Sequence, residues 1–118
     1  MDEIGRVYAP LDPANDNLMP GLPEDDELFD SEPVPADAWL AFENSPLCDR
    51  LHAIDHGGLI GTYEECWFRA PQLPAFVALI EAEVASAPPE ARAWLGKLAQ
   101  FARRAHARGV AITLIIGW

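Results

Sequence analysis

The sequence predicts an α+β protein, a small helix-rich domain packed on a short, mostly antiparallel sheet, with an extended acidic N-terminal arm. Three observations predict it. Two long helical stripes with marked ends fill most of the stretch from residue 71 to 109, runs of strand formers lie just before and after them, and residues 1–36 combine prolines with high negative charge. Half of the 118 residues are apolar, enough to build one core from about residue 37 onward. The expected organisation is therefore an arm over 1–36 and a single globular domain over 37–118.

The arm holds Pro10, Pro13, Pro20, Pro23, Pro33 and Pro35. A segment of this kind cannot bury enough apolar surface to offset its own ordering entropy, so it is expected to be disordered unless it docks. Val7-Tyr8 and Leu28-Phe29 are its apolar points. Asp37 is placed as the N-cap of a first helix through Glu43, which sets Trp39 and Phe42 three residues apart on one side. A second helix is expected from Ser45 as N-cap and Pro46 as first helical residue, with Leu47, Leu51 and Ile54 inward and Gly57-Gly58 as its stop. LIGTYEECWFRA (59–70) is rich in strand formers, and a strand is expected over 62–69.

Pro71 and Pro74 mark the start of a third helix with the stripe Leu73, Phe76, Val77, Ile80, Val84. Pro89 begins the longest helix, 89–108, with Ala91, Trp94, Leu95, Leu98, Phe101, Ala102 and Ala105 inward and Gly109 as its end. The closing VAITLIIGW is apolar on both alternating faces, which predicts a central strand covered on both sides and antiparallel to the strand at 62–69. Two strands make a poor sheet. The third is expected from Ile4–Tyr8 or from a second copy of the chain, and a homodimer through the C-terminal strand is the corresponding assembly.

The charge is segregated. Residues 1–37 set eleven acids against Arg6, residues 38–87 carry −5, and residues 88–118 carry +4, within a total of −11. Such segregation points to contacts, inside the chain or with a partner. Arg92, Lys97, Arg103, Arg104 and Arg108 share the polar arc of the longest helix and form a candidate face for an anion or for docking of the arm. Direct nucleic-acid binding is not expected, because the −15 carried by residues 1–87 repels a phosphate backbone. MDEIGRVYAP has no secretory pattern and VAITLIIGW is too short to span a bilayer, so the chain reads as cytoplasmic, off the membrane, with Cys48 and Cys66 reduced.

Chemistry-bearing groups are few. Cys48, His52 and His56 recur every fourth residue on the expected second helix, beside Asp55. Cys48 and His56 would stand about 12 Å apart along the axis, too far to share one metal ion. Only a neighbouring pair could bind, His52 with His56 being the better one with Glu64 or Glu65 as a third ligand, and two histidines without a full set are more simply a helix-end cation and an exposed side chain. Glu64-Glu65 on a strand point to opposite faces and cannot serve one acid–base site. No nucleophile elbow, phosphate loop or zinc-protease helix is present. No metal, cofactor or catalytic residue is expected.

The reading that follows is a non-enzymatic binder of a basic protein partner, for example an enzyme or toxin acting on nucleic acid. In size and charge the chain resembles the immunity proteins and antitoxins that neutralise such toxins, without a shared motif. The expected binding residues are Glu24, Asp25, Asp26, Glu27, Leu28, Phe29, Asp30 and Glu32, an apolar pair set among carboxylates. The alternatives are a homo-oligomeric structural or adaptor protein, and a small enzyme using His52, Asp55, His56 and a Glu.

Overall fold

The structure is a computed structural model that describes residues 3–16 and 28–117; Glu24, Asp25, Asp26 and Glu27 lie outside the described residues. Strands β1 (Glu3–Pro10), β2 (Phe29–Pro35), β3 (Gly57–Gly58), β4 (Glu65–Phe68) and β5 (Ile112–Ile116) form one sheet. Its order is β2-β1-β5-β4-β3, and every neighbouring pair is antiparallel. Helices α1 (Ala36–Glu43), α2 (Pro46–His52), α3 (Leu73–Glu83) and α4 (Pro89–Arg108) pack on it.

The pairing register shows which side they cover. Val7, Leu114 and Cys66 stand opposite one another across β1, β5 and β4, and all three are buried in the core with the inner stripes of α3 and α4. The adjacent row, Arg6, Ile115 and Glu65, is half-buried to exposed. Alternation along each strand thus separates a helix-covered face from a more open one. The C-terminal strand is central, as its composition predicts, but Ile115 is only half-buried and the two faces are not equally covered.

The helical stripes behave as their spacing requires. Leu73, Phe76, Val77 and Ile80 are buried on α3, whereas Val84 of the expected stripe falls just past the helix end and is half-buried; all seven predicted residues of α4 are buried, with Ala99 added. Gly109 closes α4 in the left-handed conformation, its N–H returning to the carbonyls of Ala105 and His106. Trp39, Phe42 and Trp94 meet as an aromatic cluster, with ring centroids 5.2 to 6.1 Å apart.

Several expectations need correction. Asp37 is not the N-cap of α1: the helix begins at Ala36 with Pro35 as its N-cap, and Asp37 lies in its first turn. The boundary at 36/37 does not divide the sheet: β1 and β2 come from the first 36 residues and sit in the same sheet as β5. Their prolines are compatible with this because Pro33 and Pro35 fall on an edge strand, whose outer N–H groups need no ladder partner. The second helix ends at His52 rather than near His56, and Gly57-Gly58 form β3 instead of a helix stop. Glycine is needed at 57 for another reason: a Cβ there would stand 2.0 Å from the Trp67 ring. The strand expected over 62–69 begins only at Glu65, because Tyr63 is held at φ 67°.

The C-terminal strand also offers no free edge to a second copy. β1 pairs with it on one side and β4 on the other, so β1 fills the place that a dimer partner would have taken. Among the described residues no helix is long and apolar enough to cross a membrane.

Candidate functional site

The basic arc of α4 does not stand free. Arg104 reaches Asp30 at 3.4 Å and Glu32 at 3.6 Å, both on β2. Arg108 donates from Nε to the Pro10 carbonyl at 3.1 Å and places Nη2 3.9 Å from Asp30. The geometry follows from the sheet: Asp30 and Glu32 pair in register with Ala9 and Val7, so they point to the helix side of the edge strand, where α4 passes. On the other flank Arg103 pairs with Glu81 of α3. Arg92 donates from Nε to the Ala87 carbonyl at 2.9 Å. Lys97 makes no ion pair among the described residues and lines a cavity of about 180 Å³ with Glu32, Glu90 and Trp94. Each exposed pair is worth less than about 1 kcal/mol. On the surface they set a carboxylate beside each of Arg103, Arg104 and Arg108, which locally offsets the positive charge of the arc.

The apolar pair of the arm is divided. Phe29 is buried and packs edge-on against Tyr8 at 6.2 Å, whereas Leu28 is exposed. Phe29 is thus occupied by the chain itself, and of the expected binding residues Asp30 and Glu32 are held by Arg104 and Arg108.

The histidine row is broken by the early end of α2. The His52 and His56 rings lie 5.8 Å apart, His56 leans on Phe68 at 5.3 Å, and its Nδ1 is 3.2 Å from the Gly57 carbonyl. Among the described residues no group of three or more His, Cys, Asp or Glu is placed to hold a metal ion. Burial pushes the Cys66 thiol up to about 12, and burial with the nearby Asp49 and Glu43 carboxylates pushes Cys48 up to about 11. Neither sulfur is a ready thiolate near neutral pH.

A different site stands out, at the turn between β3 and β4. Leu59 is 59% exposed and Tyr63 is 80% exposed, the two most exposed large apolar side chains among the described residues. Tyr63 sits at φ 67°, a region that bulky residues rarely enter. Its neighbours are fixed. Glu43 of α1 accepts from Thr62 N at 2.8 Å and from Thr62 Oγ1 at 3.0 Å, and the fully buried Trp39 donates from Nε1 to the same hydroxyl at 3.0 Å. Ile116 N donates to the Glu64 carbonyl at 3.1 Å, and Leu59 N to the Glu65 carbonyl at 3.0 Å. Glu64, Glu65 and the nearby Asp55 are exposed and make no ion pair among the described residues.

Thr62→Val tests the clamp. It leaves the Trp39 indole N–H buried without an acceptor, and the expected cost is about 1–3 kcal/mol. Thermal unfolding reads this loss, and amide exchange at residues 61–64 should quicken. Sequence reasoning misses the site because Tyr is an ordinary strand former. The signal was Gly61 immediately before Thr62-Tyr63, a turn residue at the start of the expected strand. Set beside known proteins, the chain matches no family model, and no curated protein or solved structure is significantly similar to it.

Proposed function

We propose that this chain is a small, acidic, non-enzymatic binding protein that neutralises a basic protein partner, in the manner of an inhibitor, immunity protein or antitoxin. One observation carries the reading: five of the chain's eight Lys and Arg side chains are paired within it, while several exposed carboxylates are left over. Arg6, Arg50, Arg103, Arg104 and Arg108 each meet a carboxylate of the same chain. Asp49, Asp55, Glu64, Glu65 and Glu90 are exposed and have no cationic partner among the described residues. With Arg103, Arg104 and Arg108 of the basic arc paired and a net charge of −11, the surface offers an approaching molecule mainly negative charge, which speeds encounter with a basic protein and discourages a phosphate backbone.

Affinity capture with the tagged full chain from its own cell lysate, at low and high salt, tests this by mass spectrometry. The expected result is one basic protein retained at low salt and lost as ionic strength rises, because exposed charges are screened beyond a Debye length of about 8–10 Å. Recovery of the bait alone at both salts would overturn the reading and shift weight to a self-associating structural role.

A further inference from the structure

We infer that the turn at residues 59–65 is the surface on which this basic partner docks, with Tyr63 as its anchor; the inference rests on the function proposed above. Three independent features meet there. The first is strain: Tyr63 is held in the left-handed region although glycine would take that conformation freely. Strain of this kind persists only where the surroundings impose it, and it concentrates at functional positions. Thr62, clamped by Glu43 and Trp39, and Glu64, tied to Ile116, impose it from both sides.

The second feature is what the strain achieves. It does not pack Tyr63 into the core; it leaves the ring 80% exposed, with Leu59 on the same turn. Tyrosine is among the side chains that carry most energy at protein interfaces, and an anchor fixed before binding loses little freedom on docking.

The third is the rim. Asp55, Glu64 and Glu65 surround the apolar pair in sequence, each exposed and without an ion pair among the described residues. An apolar centre with a charged rim matches a partner surface that has an apolar recess bordered by Lys and Arg. A second copy of this chain is a poor occupant, because two such turns would bring their carboxylates together. The described part of the arm is a weaker candidate, since Phe29 is buried and Asp30 and Glu32 already face Arg104.

The test is an amide-resolved titration of the isotope-labelled full chain, at low salt, with a short synthetic peptide of alternating lysine, arginine and leucine. The wild type is compared with Tyr63→Ala, Tyr63→Gly and the pair Glu64→Gln with Glu65→Gln. Shifts should concentrate in residues 58–66, and either change at Tyr63 should weaken binding by about tenfold. Tyr63→Gly should also raise the Tm by about 2–4 °C, since it relieves the left-handed strain while removing the anchor. Shifts spread over all the carboxylates, or an affinity within about twofold of wild type in the Tyr63 variants, would overturn the docking surface and leave charge-driven binding in place. Absence of any binding at low salt would overturn the function itself. A dimer of the free chain that Tyr63→Ala dissolves would reassign the turn to self-association, and a Tm lowered by Tyr63→Gly would remove the strain from the case.

Discussion

Gly5→Ala should lower the unfolding free energy by about 3 kcal/mol, at the upper end of what overpacking costs and a large share of the stability of a domain this size. Gly5 pairs with Ile116 where β1 joins β5. A Cβ at this position would stand 2.2 Å from the Ile115 carbonyl oxygen and 2.8 Å from the Ile116 Cα. Both atoms are backbone, so no rotamer change relieves the clash, and the two strands must part. Because β2 is held to the rest of the sheet through β1, both loosen together. Urea unfolding measures the loss, and faster amide exchange in residues 3–10 and 29–35 should accompany it. Gly96→Ala is the matched control. It lies inside α4 with open space around it, and alanine there should stabilise by about 0.5–1 kcal/mol. A Gly5→Ala protein with an unchanged urea midpoint would mean that β1 is not seated against β5.

Deletion of residues 1–36 should abolish the folded chain. The cut removes β1 and β2 and with them Val7, Phe29 and Val34, which are buried. At about 1.5–3 kcal/mol for each such side chain, the loss approaches the whole stability of a small domain. It also uncovers one edge of β5, whose sequence ITLII has no charge or proline to deter pairing with another chain. Size-exclusion chromatography should show aggregate, and near-ultraviolet circular dichroism should lose the tryptophan signal of the packed core. A soluble, cooperatively unfolding 37–118 fragment would show instead that the first 36 residues are an accessory.

The longest helix was legible because its ends and its inner face agree. Pro89 opens α4, Gly109 closes it, and between them the apolar residues recur at helical spacing, so local preference and burial point the same way. Of the N-terminal strands, β1 was legible only as the candidate third strand Ile4–Tyr8, and β2 was hidden by composition. In β1 the buried Val7 and Ala9 alternate with the half-buried Arg6 and Tyr8, a two-residue period, whereas β2 reads FDSEPVP, where prolines and acids mask any such period. Gly57-Gly58 follows a helix and reads as its stop, yet the reason for Gly57 is the ring of Trp67 ten residues later, which no local rule can see. Tyr63 is the same problem in sharper form. Its side chain favours a strand, and its backbone is decided by Thr62, Glu43 and Trp39, residues brought together only by the fold. The charge segregation was legible as segregation. Which acids answer the arginines was not, since Asp30 and Glu32 meet Arg104 only because β2 lies along α4.

The middle strand of the sheet has a consequence for how the protein is made. β5 is the last of the five strands in chain order, yet β1 and β4 both depend on it for their ladders. A ribosome adding about 10 residues per second needs roughly ten seconds to travel from β1 to β5. During that interval the early strands have only each other, and the later hairpin only itself. The abundance of carboxylates and prolines in the first third of the chain suits a segment that must wait, because mutual repulsion and interrupted pairing keep nascent chains on one messenger from joining before their own centre arrives.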